Sequence, residues 1–205
     1  MNLGKTQWGV YYLHDYVPPK KWENYPDFDS IEDSKNILEF KRFGEDCINL
    51  YSNELLQAIS YLSINVMNRF VKNIALVNVP PSKVDKDSPI KESIHLIKEW
   101  FDEGIISPKF GCNKGIYDYS NLLTRISDVN TAHKEWPRPT FDEHLNSIEC
   151  SKDNLSRDYM TFIILDDITT TGITMNACKK ILLDHGANYR YIYKLAIGHT
   201  VEGYE

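Results

Sequence analysis

Phe162-Ile163-Ile164-Leu165-Asp166-Asp167-Ile168-Thr169-Thr170-Thr171-Gly172-Ile173-Thr174 is the stretch whose reading decides the fold. Four consecutive apolar residues, two of them β-branched, predict a strand buried on both faces, as in the middle of a parallel sheet. The run stops at two carboxylates. From Thr174 onward Ala177, Cys178, Ile181 and Leu182 follow helical spacing, and Gly186 supplies a stop. Between strand and helix lies a short hydroxyl-rich turn with a single glycine. A loop entering a helix directs several unpaired N–H groups at one spot, and the threonine hydroxyls of Thr169, Thr170, Thr171 and Thr174 stand around it. That chemistry suits a phosphate. Asp166 and Asp167 repel a phosphate, so sugar hydroxyls or a divalent cation beside the phosphate are their natural partners.

Outward from this centre the chain predicts alternating strands and helices. Ile74 to Val79 is a second buried strand ending at Pro80-Pro81-Ser82-Lys83, on the same sheet edge as Asp166. Before it, Ser52 or Asn53 caps a helix with Leu55, Ile59, Leu62, Val66 and Phe70 on one face. After it, Ser88-Pro89 opens a helix whose stripe is Ile90, Ile94, Ile97 and Phe101, with Gly104 as the stop. Tyr189 to Ile197 reads as the last strand. Near the N-terminus, Trp8 to His14 reads as a strand, Tyr16 to Asp33 as a polar surface segment, and Ile37 to Gly44 as a second short strand. Ile105 to Gly115 looks irregular, Ile116 to Leu123 is a short element of open type, and Ser151 to Asp158 a polar turn.

Leu123 to Pro139 has no sustained periodicity and carries Arg125, His133, Lys134 and Arg138 around two prolines, the profile of a long functional loop. The whole chain, 205 residues with 42% hydrophobic content and a net charge of −6, is long enough for one α/β domain and has no basic block to hold nucleic acid electrostatically. Met1 to Gln7 lacks the apolar core of a signal peptide, no stretch is long enough to cross a bilayer, and a cytoplasmic protein is expected. Cys47, Cys112, Cys150 and Cys178 form no CxxC pair, so neither a zinc ribbon nor a disulfide framework is expected.

The run from Phe162 to Thr174 resembles the phosphoribosyl-diphosphate (PRPP) signature of type I phosphoribosyltransferases: strand, acidic pair, threonines, glycine, threonine. Phe40-Lys41-Arg42-Phe43-Gly44, a helix and then Val77-Asn78-Val79-Pro80-Pro81 resemble the ComF-like branch, as does His144-Leu145-Asn146-Ser147-Ile148, with histidine in place of arginine. The zinc-binding cysteine cluster of that branch and its basic, asparagine-containing loop are missing. The resemblance implies a type I phosphoribosyltransferase fold, a mainly parallel sheet flanked by helices, with a small hood at residues 1–45 and a core at 46–205. It implies a flexible lid at about 124–142. Trp8, Tyr11, Tyr12 and Trp22 would either stack on a flat substrate or pack the hood.

The activity so implied is transfer of 5-phosphoribosyl from PRPP to a nitrogen acceptor, with Mg²⁺ and release of diphosphate. Thr169, Thr170, Thr171, Gly172, Ile173 and Thr174 would seat the 5′-phosphate. Asp166 and Asp167 would hold the ribose and influence the metal, and Pro81, Ser82 and Lys83 would face the diphosphate. Arg125, His133, Lys134 and Arg138 would neutralise it from the lid, arginine in paired hydrogen bonds and lysine as a point charge. Members that salvage 6-oxopurines carry a carboxylate where this chain has Thr170, and a lysine that Ala196-Ile197-Gly198-His199-Thr200 lacks. Adenine, uracil, a glycosyl acceptor or no acceptor stay open. The alternatives are a catalytically silent PRPP or nucleotide sensor in a regulatory, competence or phage-defence assembly, and a hydrolase using the same pocket. A homodimer or a larger assembly is also implied.

Overall fold

A computed structural model describes residues 3–25, 27–67, 73–105, 115–130, 138–155 and 160–201. Eight strands and five α-helices occur among them: β1 (Gly4–Lys5), β2 (Tyr11–Tyr16), α1 (Phe28–Phe40), α2 (Glu45–Asn65), β3 (Asn73–Asn78), α3 (Pro89–Asp102), β4 (Gly115–Asp118), β5 (Leu123–Arg125), α4 (Phe141–Asn146), β6 (Ile148–Cys150), β7 (Met160–Thr169), α5 (Ile173–Asp184) and β8 (Ile192–Thr200). The main sheet runs β1-β2-β8-β7-β3-β4, and β5 with β6 forms a separate antiparallel pair. Within the main sheet only β1 is antiparallel to its neighbour. This is an α/β fold with a mostly parallel central sheet flanked by helices.

The central strand β7 is apolar on both faces because both are covered. Ile163 and Leu165 pack with Ile37 and Phe40 of α1, Leu55 and Ile59 of α2, and Ile94 and Ile97 of α3. Phe162 and Ile164 point the other way, among Met175, Cys178 and Leu182 of α5 and Leu123 and Ile148 of the small hairpin. Each fully covered leucine or isoleucine contributes roughly 1.5–3 kcal/mol relative to exposure, so two continuous cores hold the sheet from either side. Among the described residues no helix is long and apolar enough to cross a membrane.

The run of topology places an opening beside β7. From β3 the chain crosses by α3 to β4, whereas from β7 it crosses by α5 to β8, on the opposite side and opposite face. The carboxyl ends of β3 and β7 therefore diverge, which is where open α/β sheets bind ligands. Pairing between them ends at Asn78 with Leu165, and the Val79 N–H makes the last bond to Leu165 O at 2.9 Å. Asp166 is the first residue of β7 left without β3 beside it.

Several local expectations require correction. Ile37 to Gly44 is not a strand: Ile37 to Phe40 end α1, and Gly44 is the N-cap of α2. The buried face of α1 is Ser30, Ser34, Ile37 and Phe40, so two serines occupy positions where apolar residues would have disclosed the helical period. Ser34 fits there because its hydroxyl donates to Ser30 O at 2.6 Å and accepts from Val17 N–H at 2.8 Å. The segment Tyr16 to Asp33 accordingly contains a 3₁₀ turn, Pro19–Asn24, and the first turn of α1, capped by Asp27. Helix α2 starts at Glu45 rather than near Ser52, and both Ser52 and Leu55 lie on its buried face. The last strand starts at Ile192 after a 3₁₀ turn and reaches Thr200. Phe70 and Cys112 lie outside the described residues.

Candidate functional site

Gly172 begins the site. Its φ of 71° places it in the left-handed region as the N-cap of α5, and a Cβ there would stand 3.1 Å from Val10 Cγ2. With this turn the first intrahelical bond runs from Asn176 N–H to Gly172 O, at 2.9 Å. The N–H groups of Ile173, Thr174 and Met175 are left for another partner. Among the described residues no side chain caps α5, and no acid lies in its first turn, so the positive end of the helix is not neutralised from within. These residues, with Thr169, Thr170, Thr171, Arg138, His144 and Asp166, line a cleft of about 130 Å³.

A second cleft of about 230 Å³ adjoins it along the gap between β3 and β7. Both are lined by His144, Asp166 and Thr174, and the larger adds Lys41, Pro80, Pro81, Ser82, Lys86, Asp87, Arg125 and Asp167. The order along the groove is thus helix N-terminus, acid pair, and a wall on which Lys41, Lys86 and Arg125 stand with Asp87. Burial first, and then the charge of Asp167, push the Asp166 carboxyl well above the usual carboxylate range, against the opposing pull of Lys41 and Arg125. Asp167 Oδ2 lies 3.0 Å from Lys41 Nζ. Burial works against the Lys41 charge, but Asp167 and Asp166 more than offset it and hold the lysine above its ordinary pKa.

His144 completes the floor. It is 8% exposed, its Nε2 lies 3.3 Å from Thr174 Oγ1, and its Nδ1 is buried with no hydrogen-bond partner. Burial and then the nearby Arg125 guanidinium push its pKa down to about 4, so the imidazole is neutral at pH 7. A neutral ring needs only one donor. Placing that proton on Nε2 lets it donate to Thr174 Oγ1, which frees the threonine hydroxyl hydrogen for a ligand in the cleft.

The structure distributes the expected site residues unevenly. Thr169, Thr170, Thr171, Gly172, Ile173, Thr174, Asp166 and Arg138 meet at the smaller cleft, and Pro81, Ser82 and Asp167 at the larger. Thr170 Oγ1 also lies 3.1 Å from Thr200 Oγ1. Lys83 instead pairs with Asp128, Nζ to Oδ2 3.2 Å, and is not among the residues lining either cleft. Arg125 is not a lid residue. It closes β5 at 7% exposure, and its guanidinium donates to Pro81 O at 2.8 Å, Pro80 O at 3.2 Å and Ser147 Oγ at 2.5 Å. The expected lid thus begins in a paired strand and ends in α4, whose Thr140–Glu143 capping box fixes its start. His133 and Lys134 lie outside the described residues.

Two residues emerge that the sequence reading had not assigned to the site. In the sequence Lys41 falls in the segment that reads as a short strand ending at Gly44, and His144 is a histidine in an arginine's place. The aromatic residues near the N-terminus are mostly engaged: Tyr12 stacks on His199 with ring centroids 4.8 Å apart, and Trp22 Nε1 donates to Val17 O at 2.8 Å. Trp8 is 55% exposed.

Fold and cleft together define an α/β protein with a ligand groove at the carboxyl edge of its sheet. A scan against models of protein families finds no match for this chain. A search of curated proteins finds no match either.

Proposed function

We propose that this chain is a type I phosphoribosyltransferase that binds PRPP and passes its 5-phosphoribosyl group to a nitrogen acceptor, releasing diphosphate. The observation that carries the reading is the order of chemistry along one groove: an uncapped helix N-terminus, then Asp166 and Asp167, then a wall containing Lys41, Lys86 and Ser82. PRPP has the same order, with phosphate, pentose hydroxyls and diphosphate. In this reading residues 1–45 extend the sheet and its cover rather than forming a separate hood, since β1 and β2 lie in the main sheet and Ile37 and Phe40 of α1 in its core, and the protein works in the cytoplasm as a homodimer or within a larger assembly.

The 5′-phosphate would lie against the amides of Ile173, Thr174 and Met175, with the hydroxyl of Thr174 directed by His144. Asp166 would accept from the ribose hydroxyls, and its negative charge would favour the positive charge that develops at the sugar carbon. In the transfer, the bond from carbon 1 to the diphosphate oxygen breaks, the bond from carbon 1 to the acceptor nitrogen forms, and the electron pair leaves with diphosphate. The acceptor nitrogen then loses its proton to solvent. The described residues hold no group of three or more metal-ligating acids, histidines or cysteines. Two carboxylates beside a phosphate-binding groove still suit Mg²⁺, which keeps several waters and takes one or two carboxylates plus substrate oxygens. Asp166 and Asp167 would hold it, and when bound it would add positive charge beside the leaving diphosphate.

Incubating the protein with Mg²⁺ and PRPP, with and without a panel of nitrogen bases, tests the reading. Nucleotide product with one base supports it. Diphosphate release without a base assigns hydrolysis instead, and tight PRPP binding without either product assigns the silent sensor. No binding of PRPP at all would remove every version of it. Asp166→Asn combined with Asp167→Asn should abolish binding while leaving the fold intact, because both lie in the part of β7 that runs past β3 and outside the two apolar cores.

A further inference from the structure

Lys41 is presented to the groove by a rigid corner. Its N–H reaches Ile37 O at 3.0 Å, the Phe43 N–H reaches Phe40 O at 3.0 Å, and the Gly44 N–H reaches Glu39 O at 3.0 Å. Phe43 adopts a φ of 61°, which turns the chain sharply from α1 into α2. The ammonium is thereby held over the carboxyl end of β7, against Asp167 Oδ2, while the same side chain lines the larger cleft. Both oxygens of Asp167 have a partner in this state, since its Oδ1 accepts the Ile168 N–H at 2.6 Å. A cation approaching Asp167 Oδ2 competes there with the Lys41 ammonium.

The opposite side of the cleft explains why a displacement of Lys41 has an outlet. Pro80 and Pro81 carry no N–H, so these two positions of the loop after β3 give an anion no backbone donor. Arg125 is committed to the carbonyls of those prolines and to Ser147, and Lys83 to Asp128. Lys41 and Lys86 are therefore the lysines that line the cleft where a diphosphate would lie.

We propose, resting on the phosphoribosyltransferase reading, that Lys41 exchanges partners during binding: it holds Asp167 while the groove is empty and passes to the diphosphate when a metal–diphosphate ester arrives. The groove then takes metal and diphosphate together, and takes metal alone poorly. The physical reason is charge balance. With Lys41 in place the acid pair presents less net negative charge to a lone cation, whereas a metal–diphosphate unit offers Asp167 a cation and Lys41 an anion at once.

The two halves of this exchange predict opposite effects for one substitution. In Lys41→Gln, titration calorimetry with MnCl₂ alone should give about fivefold tighter binding than wild type, since a partly exposed ion pair no longer competes. Affinity for inorganic diphosphate in saturating Mg²⁺ should fall about tenfold, because a charge-assisted contact is lost. Lys41→Arg should restore the diphosphate affinity, and adding Asp167→Asn to Lys41→Gln should abolish the gain for MnCl₂. A purely structural lysine would weaken both ligands or neither, and either pattern overturns the proposal, as does a gain for MnCl₂ without a loss for diphosphate. Thermal melting of each variant separates misfolding from these outcomes. If wild type binds inorganic diphosphate but not PRPP, the transferase reading fails while the MnCl₂ and diphosphate arms still decide the role of Lys41.

Discussion

Replacing Arg125 by methionine tests whether the residue is an anchor or a lid cation. In the fold its guanidinium donates to Pro80 O, Pro81 O and Ser147 Oγ at 7% exposure, and Ser147 is itself tied to His144 O at 3.1 Å. Hydrogen bonds to a charged group are worth about 1.5–3 kcal/mol each, so three represent at least about 4.5 kcal/mol. Part of this is offset because methionine need not be desolvated as a cation, and its stem keeps much of the packing. A net loss of about 3 kcal/mol follows. At 205 residues that lowers Tm by about 6–12 °C, and with a urea slope near 2 kcal/mol/M it moves the midpoint by about 1.5 M. Lysine cannot reproduce the planar fork, so Arg125→Lys should recover only a minority of the loss. Urea unfolding followed by circular dichroism measures both variants. A surface lid arginine would change stability by no more than about 0.5 kcal/mol, so a midpoint shift below about 0.25 M at unchanged slope refutes the anchoring role.

Gly172→Ala should lower stability by about 1–2 kcal/mol, because the left-handed φ disfavours any Cβ and Val10 Cγ2 must yield from 3.1 Å. The same change should weaken PRPP binding about tenfold or more by moving the amides of the cradle; unchanged affinity by calorimetry would place the phosphate elsewhere. His14 bridges Asp33 at 2.9 Å and Glu54 at 2.7 Å, and although burial opposes its charge, the Glu54 hydrogen bond and the two carboxylates raise its pKa. Its folded pKa being above the unfolded value of about 6.5, the stabilisation is complete below that pH and is lost as pH rises through the folded pKa. Wild type should therefore exceed His14→Asn by about 1 kcal/mol in urea unfolding at pH 5.5 and by much less at pH 9, and a difference that grows with pH would contradict the ion bridge.

The parts of the fold that the sequence discloses are those in which one physical demand acts alone. Phe162 to Leu165 must be apolar because both faces are covered, and Ser88-Pro89 with Ile90, Ile94 and Ile97 gives α3 from cap to stripe. Ser88 contributes differently from expectation, since its hydroxyl donates to Asn78 Oδ1 at 2.9 Å rather than capping the helix. Helix α1 is hidden in the sequence because its inner face uses Ser30 and Ser34, whose hydroxyls are satisfied by the Asp27 carboxylate and by backbone groups respectively, partners that no one-dimensional pattern displays. Arg125 was misplaced for a related reason. A charged side chain reads as exposed until its acceptors are known, and here two of them are the carbonyls of prolines in a loop far away in sequence. The turn from β7 into α5 is legible as a strand-turn-helix, whereas Lys41 and His144 join the groove only through packing of α1 and α4.

The sheet closes by pairing β2 with β8, so that Tyr11 lies in register with Leu195. On a ribosome, β2 emerges early and has no neighbour in this sheet but β1 until the final strand has been made. Val10, which backs Gly172, therefore reaches its place only once β8 has been made, and a nascent chain that already holds α5 still lacks the wall behind the turn that opens this helix.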